Sequence, residues 1–518
     1  MHHRSLVLGA AAALTLPVAA AALDAPTFNR DIAPILYANC VGCHSPNQIG
    51  PMSLRTYDEA RPWAKSIAQS VQSRTMPPWH ADPGYGPWSN DRSLNADEVD
   101  TVVRWVAAGA PRGEGEAPPL PEVIEAEWVL GEPDVILEID PVEIAADGPD
   151  RFVQKVIPTG FETDRFVTAL EVRPGDRQVV HHVLLWMANE SGTAPQSLLG
   201  GWAAGADPTV TPEGTGRLVK KGHPLIFDLH YHPYGVATTD RTRIGLHLAD
   251  SNEAIEKELV NLWVLNADFE IPAGDPDVEA AASHTFAQDV RLLALTPHMH
   301  YRGKDFQFTA VLPDGTSKEL LKVSRYDFNW QTGYEFAEPI ELPAGSRVDC
   351  LAHWDNSTAN LNNPDPEKNV RWGLQSTDEM MIGFVDYVVK DGVSPKPVSP
   401  VLGKLPELAK THPGQVWRVD VPLQPGKPPE PTAVHLPRAG NGGWYVGFGN
   451  MVLPAPIHSI VWDGNRVTAK ADIPNQGTTE MSGVVLDSGD IDLTMGPGTI
   501  RGIAAEKVKP AASIPSGR

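Results

Sequence analysis

The sequence predicts a multidomain fold: a small all-α domain, then two mainly antiparallel β-sandwich domains, then a C-terminal all-β domain. Three observations carry this. Apolar residues recur at helical spacing only before about position 112. From about 128 onward the pattern changes to short alternating runs separated by turn residues. Two proline-rich stretches, "APRGEGEAPPLPE" (110–122) and "KDGVSPKPVSPVLGK" (390–404), punctuate the chain where the pattern shifts. A length of 518 residues exceeds one ordinary core, and 42% hydrophobic with 21% charged residues describes folded protein.

The chain opens on "MHHRSLVLGAAAALTLPVAAAALDA", a weakly basic tip followed by an apolar run ending in small residues. That pattern predicts a signal peptide over 1–22, cleaved near Ala22, and a periplasmic or secreted protein. No other segment approaches the roughly 20 apolar residues needed to cross a bilayer. The net charge of −23 excludes nucleic acid as a partner, because its phosphates would be repelled.

Residues 26–112 form the expected helical domain. "FNRDIAPILYANC" spaces Ile32, Ile35 and Leu36 along one helix face. Thr56 and Glu59 stand in capping-box register. "NADEVDTVVRWVAAG" repeats Val99, Val102, Val103 and Val106 before stopping at Gly109. The two sandwich domains are expected over 128–265 and 266–395, with strands in "PDVILEID", "DRFVTALEV", "QVVHHVLLWM", "HPLIFDLHYHP", "VRLLALTPHM", "SRVDCLAHW" and "MIGFVDYVV". The stretch "IPAGDPDVEAAASH" (271–284) reads as loop near their junction. The tail, 405–518, reads as meandering hairpins with "DG" and "GPG" turns and no metal-type cluster.

The chemistry begins at "CVGCH" (40–44). In CxxCH the two thiols add to the haem vinyl groups and the adjacent histidine reaches the iron, so Cys40, Cys43 and His44 predict one covalently attached c-type haem. Met76, followed by two prolines in "RTMPPWH", is the expected second axial ligand, with Met52 and His80 as alternatives. The segment resembles small class-I cytochromes c, where a methionine before proline is the usual ligand. With two of the three cysteines in this motif, Cys350 has no obvious partner and stability rests on cores rather than disulfides.

Seventeen histidines include three close groups: "VVHHVLLWM", "FDLHYHP" and "TPHMHYRGK". Side chains at i and i+2 of a strand share a face, so His298 and His300 project together, as do Asp228, His230 and His232. His181 and His182, being adjacent, reach one ion only through a bulge or through different ring nitrogens. Imidazoles suit zinc, copper or iron, and a thioether such as Met380 or Met381 of "STDEMMIGFVDY" selects copper.

HHV, HY, HMH and DEM follow one another in the order seen in the copper type II, ascorbate-dependent monooxygenases, which the chain resembles over roughly 130–395. The resemblance implies two jelly-roll domains, each with one copper, facing each other across a solvent cleft. By the same resemblance His181, His182 and His230 hold the electron-transferring copper. His298, His300 and Met380 hold the copper that meets O2 and substrate, and serve as the catalytic set. The peptide-amidating members carry an arginine two residues before the HxH pair, and an asparagine and a tyrosine after DEM. Thr296, Ile382 and Phe384 stand there instead, which points away from a peptide carboxylate and toward a less polar small molecule.

The implied function is an exported copper monooxygenase that hydroxylates a C–H bond with O2, its electrons entering through the fused haem from an exported redox protein or an ascorbate-like reductant. His232 and His353 are expected to donate hydrogen bonds behind the metal ligands or to be structural. A non-catalytic copper–haem electron carrier or copper-binding protein is the alternative. Zinc hydrolysis is a third reading, which leaves Met380 unused.

Overall fold

A computed structural model of the chain describes residues 25–390, 405 and 408–507. The exceptions are 47, 49, 122–127, 190–191, 193–194, 204–207, 374, 422–429, 449–450, 474–476 and 496–497. The expected signal peptide and most of the 390–404 linker lie outside the described residues. No described helix is long and apolar enough to cross a membrane.

The expected fold class is corrected. The chain is mostly β, with 43% strand and 12% helix, and its helices are few and short. The expected all-α domain at 26–112 holds only Ala33–Asn39, Tyr57–Ala60, Ala64–Gln72, Ala96–Ala107 and short flanking turns. Local signals do form: Thr56 closes a capping box with Glu59, Asn95 closes another with Glu98, and Gly109 takes a φ of 89° just past the last helix. Proline limits the rest. Between Ala64–Gln72 and Ala96–Ala107 the chain carries Pro77, Pro78, Pro83 and Pro87, none of which can continue a helix. That stretch lies instead on a neighbouring β unit, where Trp79 and Trp88 enter the core and Trp88 bridges to Phe336.

In the first β unit the sheet Arg151–Ile157, Leu225–Tyr231, Val180–Ala188, Pro195–Ala203 faces a second sheet containing Val135–Glu138, Arg243–Leu248, Arg165–Arg173 and Thr215–Val219. Val183, Leu185, Phe227 and Leu229 of one sheet meet Val167, Leu170, Val172, Ile244 and Leu246 of the other. Each buried aliphatic contributes about 1.5–3 kcal/mol.

The second unit pairs Val260–Leu265, Ile382–Val389, Val290–His298, Tyr334–Leu342 in one sheet and Val278–Thr285, Arg347–Trp354, Gly303–Val311, Ser317–Val323 in the other. Val278–Thr285 corrects the loop expected at 271–284. Its three consecutive alanines are small, but Ala280 is buried and the strand pairs with Arg347–Trp354 along its whole length.

The two units are packed together. Trp186 and Ile226 project from the opposite face of the first unit's sheet into a cluster with Trp263, Met380, Ile382 and Phe384 of the second. Both faces of Val180–Ala188 are therefore covered, which explains its nearly continuous apolar run. Beside this cluster Arg217 of the first unit meets Asp386 of the second at 2.5 Å, and Asp386 also accepts from Asn261 at 2.6 Å. The tail is an eight-stranded closed barrel from Val416–Val421 to Gly498–Ala504. Its "DG" turn at 463–464 joins two strands paired from Asp463 to Arg466.

Candidate metal centre

Strand geometry alone sends His181 and His182 to opposite sides, and the structure resolves this with a bulge. The register between Val180–Ala188 and Leu225–Tyr231 shifts between Val180 and His182, so His182 comes to lie opposite His230. The Nδ1 atoms of His181 and His230 each stand 3.4 Å from Nδ1 of His182. One ligand atom from each ring lies within 4.8 Å of the others. Three imidazoles thus present the same nitrogen to one point.

The proton positions follow from the outer contacts. His230 is buried and turns Nε2 to Asp150 at 2.7 Å, so Nε2 carries the hydrogen and Nδ1 keeps its lone pair for the shared point. The other carboxylate oxygen of Asp150 takes His232 Nδ1, also at 2.7 Å. His232 is therefore a partner of Asp150 and not a fourth member of the cluster. Burial tends to raise the Asp150 carboxyl, but the bonds from His230 and His232 outweigh it and hold it down to about 2. Desolvation, then His230, pulls His181 down to about 4, and desolvation pulls His182 well below its usual range. Neutral imidazoles are what a metal requires.

His298 and His300, at the end of the strand Val290–His298, place their rings 5.2 Å apart and perpendicular. Each gives Nδ1 to an oxygen: His298 to Gln331 Oε1 at 2.6 Å and His300 to the Asp378 carbonyl at 3.2 Å. Both therefore leave Nε2 for a ligand, the opposite choice to the first cluster. Burial lowers His298 to about 4 and His300 to about 3. Met380 and Met381 part company as expected. Met381 is fully buried in the core of the second unit, whereas Met380 joins the cluster between units. Phe384 of that cluster lies 6.0 Å from the His298 ring.

Glu379 holds the two chain segments together. It is buried and accepts from the backbone N–H groups of His300 (2.8 Å) and Arg302 (2.6 Å) and from Trp354 Nε1 (3.1 Å). This clamp sets the DEM segment beside the HxH turn. Burial pushes its carboxyl up to about 8 against the pull of these donors and of Arg302.

A single segment of the second unit spans both histidine sets. Phe328, buried, has its ring 6.4 Å from His230 and 5.7 Å from His300, Trp330 lies 5.7 Å from His181, and Gln331 holds His298. The Phe328 side chain thus touches one ring of each set. The sequence reading missed Asp150, Gln331, Phe328 and Glu379 as positioning groups. Only Glu379 carried a local signal, as the middle residue of DEM.

The CxxCH segment folds into a tight turn. The helix Ala33–Asn39 ends at Cys40, and the Cys40 carbonyl then accepts from the N–H groups of Cys43 (3.1 Å) and His44 (2.8 Å), a tight turn gathering all three. Neither cysteine is in a disulfide. His44 Nδ1 contacts the Met52 carbonyl at 3.2 Å. Met52, whose carbonyl is taken up by His44, packs against the same small core as Cys40. Met76 is 38% exposed, and burial lowers the His80 pKa. Cys43 packs against the core of the first β unit, which carries the three-histidine cluster.

His353 lies apart from the clusters, held between Asp305 (2.7 Å) and Glu279 (3.3 Å).

No known family profile matches the chain, and no curated protein matches it. Among solved structures, the infectious bursal disease virus VP2 subviral particle is 12% identical over 48% of this chain and 68% of that one, with a TM-score of 0.15. The structure of the Gx strain of the same virus is 9% identical over 54% and 83%, with a TM-score of 0.13. At such scores the likeness carries no argument.

Proposed function

We propose that this chain is an exported, copper-dependent monooxygenase that hydroxylates a C–H bond of a small, weakly polar organic molecule with O2 and draws electrons through its own c-type haem. One observation supports this above the others: two unlike imidazole sets, three Nδ1 donors and two Nε2 donors, both touch the Phe328 ring, and the second set is bonded to the segment that carries Met380. A hydrolytic zinc centre needs neither the second set nor the sulfur.

The donor sets fit copper. His181, His182 and His230 would hold the ion that receives electrons, and His298, His300 and Met380 the ion that faces O2 and substrate. Copper, when bound, supplies the one-electron redox chemistry that divides O2 between product and water. The net change is RH + O2 + 2 electrons + 2 protons → ROH + H2O. The chain's residues do the positioning. Asp150 keeps the proton on His230 Nε2, and Gln331 and the Asp378 carbonyl keep protons on the Nδ1 atoms of His298 and His300. Phe328, Phe384, Trp186 and Trp263 exclude water around them.

Electrons enter singly. Cys43 against the core of the three-histidine unit supports haem delivery to that side of the molecule. An exported redox protein or an ascorbate-like reductant would reload the haem. The Cys40→Ala/Cys43→Ala variant should lose turnover with a protein donor and keep part of it with ascorbate. Normal turnover of that variant with the protein donor would take the haem off the electron path.

Elemental analysis after gel filtration tests the metal reading, with two tightly held coppers and one covalent haem expected per chain. Stoichiometric zinc without copper uptake would sink it. A copper–haem carrier would show both metals, but ferrous haem mixed with O2 and candidate substrates would yield no hydroxylated product.

A further inference from the structure

The C-terminal barrel carries two histidines that the proposed reaction does not use. His435 ends the strand Glu430–His435. Val434 points into the barrel core, while Ala433 and His435 face outward under a helical turn at 408–411. His412 follows that turn, its N–H bonded to the Leu408 carbonyl at 2.9 Å, and its ring lies 4.1 Å from the His435 ring.

The nitrogens of this pair are unevenly satisfied. His412 Nδ1 is engaged by the Thr411 hydroxyl at 2.8 Å, leaving Nε2. His435 is 7% exposed, and its Nε2 is buried without a hydrogen-bond partner among the described residues. A buried imidazole nitrogen with nothing to bond is costly, and a second imidazole alongside is the wrong neighbour for a proton. Desolvation, then His412, depresses His435 to about 4, so both lone-pair chemistry and neutrality are available at ordinary pH.

We infer that His412 and His435 form a further transition-metal site, on the outer wall of the C-terminal barrel, that takes an imidazole-seeking divalent ion such as Cu(II). Two protein nitrogens come from the pair, and the half-exposed side of His412 leaves the remaining positions to water. Among first-row divalent ions Cu(II) binds nitrogen donors most strongly, so it is the ion to test. With only two protein ligands the site is exchangeable and loads only when free metal is present. It pins the turn at 408–411 to the barrel wall and does not depend on the proposed hydroxylation.

The test is equilibrium dialysis of full-length protein against excess Cu(II), comparing wild type with His412→Ala and His435→Phe. His412 is half-exposed, so its replacement leaves the barrel intact, and phenylalanine fills the buried His435 position. Each variant should bind one equivalent less than wild type, and electron paramagnetic resonance should show loss of one nitrogen-ligated Cu(II) signal. Because only the difference is read, the result stands whether or not the other histidines hold copper. Equal copper in wild type and His412→Ala would overturn the inference, as would an unchanged resonance spectrum in both variants.

Discussion

Replacing Asp150 isolates the part of the site that only the folded chain assembles. Its two oxygens serve different rings, His230 Nε2 and His232 Nδ1, each at 2.7 Å. Asparagine keeps the shape but offers one oxygen, so one of the two rings must face the amide N–H. If that ring is His230, its Nε2 becomes an acceptor and its proton moves to Nδ1, the nitrogen turned toward His182. Metal binding must then first return the proton. Losing such an outer partner costs about 10–100-fold in metal affinity, or about 1.4–2.8 kcal/mol at 1.4 kcal/mol per decade. Competition titration of Asp150→Asn with a chromogenic Cu(I) chelator reads this directly. The loss should be confined to the His181/His182/His230 site, since His298 and His300 are oriented by Gln331 and the Asp378 carbonyl. Unchanged affinity at the three-histidine site in both Asp150→Asn and Asp150→Leu, which keeps no acceptor for either ring, or an equal loss at both sites, would refute the tautomer argument.

Three further outcomes follow from the geometry. Met381→Ala, in the core of the second unit, should cost about 2–5 kcal/mol in urea unfolding, whereas Met380→Ile should leave stability within about 1.5 kcal/mol while removing the thioether and oxygenation; the reverse pattern would assign the sulfur to Met381. Arg217→Met leaves the Asp386 charge buried between the units and should cost about 3–5 kcal/mol, much of it recovered in Arg217→Met/Asp386→Leu; additive losses in a double-mutant cycle would show that the pair does not latch the units. For the metal-free protein, His181, His298 and His300 are held below their ordinary range, so the unfolded chain binds protons that the folded chain refuses. Stability is then full above about pH 6.5 and falls as pH drops toward the folded values of about 3 to 4; an unchanged urea midpoint between pH 7 and pH 5 would contradict this.

The sequence by itself determined what is written over a few residues. The turn of CxxCH, the shared face of His298 and His300, the opposed methionines and the Thr56–Glu59 capping box need only bond geometry and a period of 2 or 3.6. Helical spacing before position 112 was legible too, but its extent was not. Helices of four to twelve residues form where proline allows, and the intervening stretch buries Trp79 and Trp88 in another unit's core, where more apolar surface is available to cover them. The alanine-rich 278–285 became a strand for a related reason: pairing with Arg347–Trp354 supplies what weak local propensity does not. Closure of the tail into a barrel likewise depends on its first and last strands meeting. The site was decided at the same long range. Asp150 reaches His230 across 80 residues, Glu379 reaches His300 across 79, and Gln331 reaches His298 across 33. His412 and His435 meet only because a helical turn lies on the barrel wall. Sequence spacing names the donors; which nitrogen each presents depends on what the folded chain places behind the ring.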